Sequence, residues 1–257
     1  MKKTIKAQLA GLHRLNLWAA GLHFSQGVLV ILLSTKFSLP ITVSYLTFNT
    51  ATQSLQPASK VLFNLPLVWL VAAFFFMSAI AHTVVATIGR KNYETGLKRG
   101  INRYRWYEYS LSASTMIVAI ALLVGIYDLA SLVMLFALVM IMNLCGLVME
   151  IHNQTTEKPK WVSYIVGCIA GIVPWIVVGI YFWGASAFGS GQIPTFVYYI
   201  YVSIFIFFNC FALNMFLQYK GWGPWKNYLF GEKIYIILSL VAKSALAWQV
   251  FLGTLRP

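Results

Sequence analysis

The stretch IYIILSLVAKSALAWQVFL, residues 234–252, decides the fold because a lysine stands at the centre of an apolar segment. At a rise of about 1.5 Å per residue, a helix of this length nearly crosses the hydrocarbon layer of a membrane. Lys243 would then lie roughly 13 Å from either end, too far for its amine to reach water. A charged amine at that depth costs roughly 2.5 kcal/mol or more. The stretch therefore predicts either a buried acid paired with Lys243 or a covalent adduct, such as a Schiff base with an aldehyde.

The composition excludes an ordinary soluble protein. Of the 257 residues, 60% are hydrophobic and 10% are charged, whereas soluble domains carry about 25% charged residues. The apolar segments are about 20 residues long, a length typical of membrane helices rather than of barrel strands. The N-terminal residues are basic and polar, and no small-residue cleavage site follows, so we expect no cleavable signal peptide. The three cysteines show no zinc-binding or disulfide spacing.

The pattern of apolar segments predicts an all-α membrane protein, a bundle of seven transmembrane helices in one domain, residues 1–257. The predicted spans are 15–34, 66–88, 104–126, 129–151, 161–183, 196–218 and 234–253. In the long loop after the first span, residues 41–48 alternate apolar and hydroxylic side chains, which predicts a short strand or β-hairpin. The loop at 184–195 is uncharged and rich in glycine and serine.

The basic residues fall mainly on one side of these spans. Three of them, Lys36, Lys60 and Arg256, fall on the other side. Cytoplasmic loops carry an excess of lysine and arginine, so we expect a multi-pass protein of the cell membrane with its N-terminus in the cytoplasm and its C-terminus outside. This placement beside the spans also argues against nucleic acid as a partner. The basic residues on the cytoplasmic side are Lys2, Lys3, Lys6, Arg14, Arg90, Lys91, Lys98, Arg99, Arg103, Arg105, Lys158, Lys160, Lys220, Lys226 and Lys233.

Glu108 is the acid best placed to meet Lys243. It lies two to three turns inside the third span if that helix begins near residue 100, and Lys243 lies about nine residues inside the seventh span from the same face. A contact between them would relieve both desolvation costs. The alternative is that Glu108 lies at the membrane interface and pairs with Arg103 or Arg105.

Hydroxyl groups accompany both residues. Ser112 and Thr115 follow Glu108 at helical spacing and extend a polar stripe along the third span, so Ser112 is a candidate binding residue. Ser239 lies one turn before Lys243, on the same helical face, and its hydroxyl could bond to the lysine nitrogen. The alternative for Ser239 is a bond back to the carbonyl of residue 235, as is common for serine in membrane helices.

Two histidines indicate a further polar region. Ser78 and His82 form an i,i+4 pair in the second span, and His23 lies in the first span. A lone membrane histidine is more often a packing residue, but two in adjacent spans favour a polar cavity. Glu150, next to His152 at the end of the fourth span, is interpreted as a solvated cap.

Two motifs narrow the class of protein. The segment RYRWYEYSLSAS at 103–114 and the segment SLVAK at 239–243 resemble the heliorhodopsins. The inverted orientation expected from the loop charges and the long outer loop also fit that family, and the resemblance covers essentially the whole chain.

The resemblance implies that Lys243 carries all-trans retinal as a protonated Schiff base, with Glu108 as counterion. Family members form homodimers through the middle helices and the first outer loop, most do not pump ions, and their photocycle is slow. The expected surroundings of the Schiff base are Ser239 and Ser78, with His23 and His82 in a polar cavity that takes up the released proton.

The chain departs from ordinary microbial pumps in its acids. Pumps usually carry an aspartate four residues before the retinal lysine and a second acid in the third span, whereas this chain has Ser239 and only Glu108. We therefore expect a light sensor that signals to an unidentified cytoplasmic partner. The alternative is a light-gated or light-driven transporter of ions, such as protons. A continuous polar stripe to the outer face would favour transport, and the sequence shows none. The sequence offers no metal cluster or catalytic triad, so we expect no enzyme.

Overall fold

The computed structural model describes residues 2–189 and 193–257, and seven helices in this part of the chain are long and apolar enough to cross a membrane. An eighth helix, α3, is short and lies between the second and third spans. The bundle confirms the predicted fold class. The helices are α1 (Lys2–Leu33), α2 (Leu67–Ala86), α3 (Arg90–Lys98), α4 (Arg103–Leu123), α5 (Leu129–His152), α6 (Val162–Phe188), α7 (Thr195–Lys220) and α8 (Tyr228–Val250).

Most helix bounds lie within a few residues of the predicted spans, with three larger differences. Helix α8 begins at Tyr228 rather than at residue 234. Helix α1 begins at Lys2 rather than near residue 15, because a helix can continue past the membrane with polar residues. Helix α6 continues to Phe188 and so includes residues 184–188 of the predicted 184–195 loop. Residues 190–192 of that loop lie outside the described residues. A π-helical turn, Phe251–Leu255, extends α8.

Side-chain caps fix where three of the helices begin. The Asn102 side chain accepts a hydrogen bond from the backbone N–H of Arg105 at 3.1 Å, and Asp128 accepts one from Ser131 at 3.1 Å. Asn227 caps α8 in the same way. Each cap satisfies a backbone donor that the first helical turn leaves free.

The outer loop forms a long β-hairpin, which confirms the predicted hairpin. Strand β1 (Ser38–Asn49) pairs antiparallel with β2 (Ser54–Pro66), and the register shifts between Ile41 and Thr42. Near this irregularity the hairpin attaches to the bundle, because Thr42 donates its N–H to the carbonyl of Tyr127 at 2.9 Å. Ile41 is 2% exposed and packs into the core.

The interior of the bundle is divided into two halves. We call the end with the hairpin and the C-terminus the hairpin end, and the end with the N-terminus and α3 the basic end. The hairpin half is filled by one apolar cluster, whose members include Val71, Phe74, Phe75, Ile117, Ile120, Leu122, Leu246 and Val250. The buried polar side chains of the basic half include Asn16, Asn102, Arg105, Asn143, Glu150, Asn214 and Glu232.

Candidate functional site

Lys243 and Glu108 meet at the boundary between the two halves. Lys243 Nζ lies 3.1 Å from Glu108 Oε1, and the two side chains are 4% and 6% exposed. Helix α8 supplies the cation and α4 supplies the acid. The alternative in which Glu108 pairs with Arg105 is not observed, because Arg105 binds two other carboxylates. A buried ion pair of this kind offsets the desolvation cost of each partner.

Two serines contact this pair directly. Ser78 Oγ lies 2.6 Å from Glu108 Oε1, and Ser239 Oγ accepts a hydrogen bond from Lys243 Nζ at 2.7 Å. The alternative partner of Ser239, the carbonyl of Tyr235, instead accepts a bond from the hydroxyl of Tyr109 at 2.9 Å. The serines of α2 and α8 therefore hold the two charged groups in place.

Ser112 and Thr115, the other hydroxyls of the α4 stripe, differ from the first two serines. Ser112 is fully buried, and its hydroxyl has no hydrogen-bond partner within the described residues. Thr115 bonds back to the carbonyl of Leu111 at 2.9 Å. Ser112 thus leaves a buried donor available one turn from Glu108, whereas Thr115 is satisfied by its own helix.

The two histidines lie side by side. Their rings are stacked with centroids 5.6 Å apart, and His82 Nδ1 lies 2.7 Å from Asn16 Oδ1. His23 is fully buried, and neither of its ring nitrogens has a partner among the residues described. A cavity of about 30 Å³ is lined by His82, Asn16 and Glu108, among others, while His23 lies behind His82.

The interpretation of Glu150 as a solvated cap is wrong. The Glu150 side chain is 1% exposed and forms an ion pair with Arg105 at 2.5 Å. Trp106 Nε1 donates to the same carboxylate at 2.7 Å. The prediction is wrong because Glu150, although close to the end of α5, faces the interior. Arg105, which was counted among the interfacial basic residues, is likewise buried.

Glu232 is the site residue that the sequence analysis missed. It is 1% exposed, pairs with the guanidinium of Arg105, and accepts a bond from Asn102 Nδ2 at 2.7 Å. The span was taken to begin at residue 234, which left Glu232 in a loop. Helical spacing could have identified it, because Glu232, Ser239 and Lys243 follow one face of α8 at i, i+7 and i+11.

An apolar cavity adjoins Lys243 on the side away from the histidines. The part beside the amine measures about 40 Å³, and the lining is largely aromatic, with Tyr109, Phe208 and Phe211. The same three residues line a neighbouring cavity of about 120 Å³ that extends between α5, α6 and α7 to Trp175.

Glycines keep part of this region open. A Cβ atom on Gly171 would lie 2.3 Å from Met142 Sδ, and one on Gly146 would lie 2.4 Å from the ring of Trp106. An apolar, aromatic-lined space with an amine at one end fits retinal, a flat polyene with an aldehyde group. The described residues contain no cluster of three or more side chains that could hold a metal ion.

The fold and this site together place the protein in the rhodopsin class of seven-helix membrane proteins. The transmembrane domain of the Salpingoeca rosetta rhodopsin phosphodiesterase is similar in structure, with a TM-score of 0.66 and 13% sequence identity. The match covers 98% of this chain and 87% of that one, and at this identity it shows the fold alone.

The sequence match assigns the chain to one family within the rhodopsin fold. The family model for heliorhodopsin matches residues 12–255, so the chain belongs to the heliorhodopsin family. It is therefore a retinal-binding photoreceptor embedded in a membrane through seven spans. None of the curated proteins compared with the chain matches it.

Proposed function

We propose that this protein is a light sensor in which Lys243 holds all-trans retinal through a protonated Schiff base and Glu108 is its counterion. The observation that carries the proposal is the buried contact between Lys243 and Glu108 at the end of an aromatic-lined cavity. Retinal, when bound, supplies the absorption of visible light and a light-driven change of shape. The chain's own residues would hold the lysine nitrogen and its counterion in place and accept a released proton.

The polar neighbours of the pair have separate roles in this proposal. Ser78 and Ser239 hold Glu108 and the lysine nitrogen in line, and Ser112 is a further donor beside Glu108. When the nitrogen moves away from Glu108, the ion pair loses its mutual stabilisation, and a rearrangement of helices follows as the charges find new partners. His82 shares a cavity with Glu108, and His23 stacks on His82, so the two histidines form a place where a released proton can be held and returned.

The direct test is a visible absorption spectrum of the purified protein after addition of all-trans retinal. We expect a visible band that hydroxylamine bleaches under illumination, because hydroxylamine attacks a Schiff base. A matched sample without retinal should remain colourless. A protein that forms no visible band with retinal would refute the proposed function.

The orientation proposal places the basic end in the cytoplasm. Arg105 is buried and so does not count as an interfacial charge. The other basic residues assigned to the cytoplasmic side lie at the basic end, whereas the exposed Lys36, Lys60 and Arg256 lie at the hairpin end. A protease added to intact cells should spare a tag placed before the N-terminus and remove one placed after Pro257. The reverse pattern would contradict this orientation.

We also propose that illumination drives no net ion transport. The argument from a single internal acid no longer holds, because Glu150 and Glu232 are buried as well. The apolar interior of the hairpin half now supports the proposal: none of the described buried side chains that form its apolar cluster is ionisable, and the buried histidine His23 meets that cluster at Phe75. A pump must give its ion access to both sides, and this half offers no acceptor on the route.

The alternative function, a light-driven or light-gated proton transporter, is favoured only by the buried acids of the basic half. Illuminated cells that express the protein should show no sustained pH change. A change that a protonophore abolishes would establish transport and refute the sensor proposal. An enzymatic role is not proposed, because the groups around Lys243 form no arrangement of nucleophile, base and oxyanion donors.

Two kinds of partner are proposed. A second copy would use the hairpin, where Leu46, Phe48, Leu55 and Phe63 are exposed, together with the middle helices. A cytoplasmic signalling partner would meet α3, which is a helix rather than the expected loop. Light scattering of the protein in detergent should give the mass of a dimer, and a monomer would refute the first proposal.

The α3 surface favours an acidic partner. Its exposed residues Lys91, Lys98 and Arg99 form no ion pair within the described residues, whereas Arg90 binds Glu94 at 2.7 Å. Binding to such a partner should weaken as salt is raised.

A further inference from the structure

The basic half buries more acids than cations. Three carboxyl groups, those of Glu108, Glu150 and Glu232, are buried, and two cations, Lys243 and Arg105, face them. This count takes Lys243 as charged, and to that extent it rests on the proposed function. A buried charge without a partner is so costly that the group takes up or releases a proton instead. One of the three carboxyl groups is therefore expected to be neutral.

Glu150 is surrounded by donors, as an ionised carboxylate requires. One oxygen accepts from Arg105 Nη2 at 2.5 Å and from the Tyr228 hydroxyl at 3.0 Å. The other accepts from Trp106 Nε1 at 2.7 Å and from the backbone N–H of Asn102 at 2.9 Å. These four donors offset the cost of removing a negative carboxylate from water.

Glu232 accepts hydrogen bonds from two donors, half as many as Glu150. It accepts from Arg105 and from Asn102 Nδ2, and the guanidinium that it binds is shared with Glu150. Glu108, in contrast, has a cation of its own in Lys243. Of the three carboxyl groups, Glu232 is the one whose negative charge is least stabilised by its neighbours.

We propose that Glu232 is an uncharged carboxylic acid in the resting protein and that its proton balances the buried charges, with one carboxylate for each cation. The proton resides on a Glu232 oxygen, and no other bond changes. Glu232 is then a positioning residue for the charge of the site: it leaves Glu108 as the negative group that Lys243 meets.

The other groups around Glu232 do not supply the missing positive charge. The cavity of about 30 Å³ is lined by Glu232 and Glu108 and also by His82 of α2, Asn16 of α1, Tyr93 of α3, Arg105 and Tyr109 of α4, and Tyr235 of α8. His82 is the one further group among these that can become a cation, but its Nδ1 meets the neutral amide oxygen of Asn16 at 2.7 Å, and among the described residues no carboxylate lies within ion-pair distance of its ring to stabilise a charge. Burial raises the pKa of Tyr93 and keeps that hydroxyl neutral. Lys233, the next residue after Glu232, is exposed and is screened by water.

The same cavity couples Glu232 to the Lys243 site. It is large enough for at least one water molecule, which needs roughly 10–15 Å³ and polar partners. Glu232 and Glu108 both line it, so a proton or a change in charge on Glu232 is felt at Glu108 through a short polar route. Ionisation of Glu232 at high pH should therefore shift the visible band of the pigment.

Infrared spectroscopy of the pigment at neutral pH tests the proposal directly. The chain has six acidic residues, so the carbonyl band of a protonated carboxylic acid can be assigned by substitution. We expect such a band in the wild type and in the exposed control Glu157→Gln. It should vanish in Glu232→Gln and change frequency in Glu232→Asp, while Glu150→Asp, which keeps the charge count, leaves it in place.

A wild type without this band, or a band that survives Glu232→Gln or is unmoved in Glu232→Asp, would overturn the proposal. If Glu232→Gln does not fold, Glu232→Asp decides the question alone. A pigment that lacks the band refutes this inference and leaves the proposed function intact. A band in a protein that forms no pigment refutes the proposed function instead.

Thermal unfolding gives a second measurement that does not depend on colour. Glutamine has the shape and neutrality of protonated glutamate, so Glu232→Gln should lower the melting temperature less than Glu150→Gln does. Equal losses, or a larger loss for Glu232→Gln, would show that Glu232 is charged and would contradict the proposal.

Discussion

The hairpin half of the bundle is filled by apolar side chains, whereas the basic half buries three carboxyl groups, a guanidinium and an amine. In the hairpin half, the side chains stabilise the bundle through close packing, because lipid is as apolar as their own surfaces. In the basic half, each charged group depends on particular partners, because an unpaired buried charge costs far more than a lost apolar contact.

The boundary between the halves explains where the site lies. Lys243, Glu108 and Ser78 lie next to the apolar cluster, so beyond the hydroxyls of α4 the ion pair faces apolar side chains toward the hairpin end and charged groups toward the basic end. A change in this pair can be passed to the basic half, where charges and hydrogen bonds can rearrange. The hairpin half is close-packed and apolar, so its side chains have no alternative partners and should keep their positions.

Loss of the cation at the boundary should have the largest effect. Lys243→Ala removes the one lysine that lies deep within a span of the described chain, and we expect the visible band with retinal to disappear completely. The matched control is Lys233→Ala, an exposed lysine on the same helix, which should keep its colour. A pigment that survives in Lys243→Ala would end the retinal proposal.

Apart from changes at the Lys243–Glu108 pair, the variant that should lose the most stability is one that removes the Glu150 carboxylate. Glu150→Ala leaves Arg105 short of a partner and removes the acceptor of Trp106 and Tyr228. Removing one partner of a buried ion pair costs about 3–5 kcal/mol. Thermal unfolding should show a large drop in Tm for Glu150→Ala and little change for the exposed control Glu157→Ala. Equal effects of the two variants would show that the cluster does not stabilise the fold.

Replacement of the proposed counterion should change the colour more than the stability. An opposite charge favours the protonated form of a Schiff base, so in Glu108→Gln the pigment should lose its proton at lower pH than the wild type, and the deprotonated form absorbs at shorter wavelength. Spectra recorded across a pH titration measure this, with Glu157→Gln as the control. A Glu108→Gln protein that titrates like the wild type would mean that another anion neutralises the site.

The sequence alone was sufficient for the spans and for the depths of Lys243 and Glu108, because long apolar runs and a charge within them have few structural explanations. It was insufficient for the cluster around Arg105. Arg105, Glu150 and Glu232 lie within a turn or two of helix ends, where charged residues are usually solvated, and only the packing of α4, α5 and α8 shows that they face one another. The hairpin was predicted without the position of its second strand, since Pro57 and Lys60 interrupt the apolar pattern of β2. The roles of the site residues toward retinal remain predictions.

The smallest expected effect lies at the surface of the hairpin half, where a charged group has solvent as an alternative partner. Asp128 accepts hydrogen bonds from the backbone N–H groups of Ser131 at 3.1 Å and Ser44 at 3.2 Å, and it thereby joins the start of α5 to the hairpin. These hydrogen bonds hold the pKa of the Asp128 carboxyl below its ordinary value, and the bond from the Ser131 backbone has the largest effect. A carboxyl with a lowered folded-state pKa contributes stability above its unfolded pKa of about 3.9, and that contribution is lost as the pH falls through the folded value. Asp128→Ala should therefore lower Tm slightly at neutral pH, by less than Glu150→Ala does, and the difference from the wild type should shrink in acid. A difference that grows in acid, or one as large as that of Glu150→Ala, would contradict the contrast between a solvated charge and the buried ones.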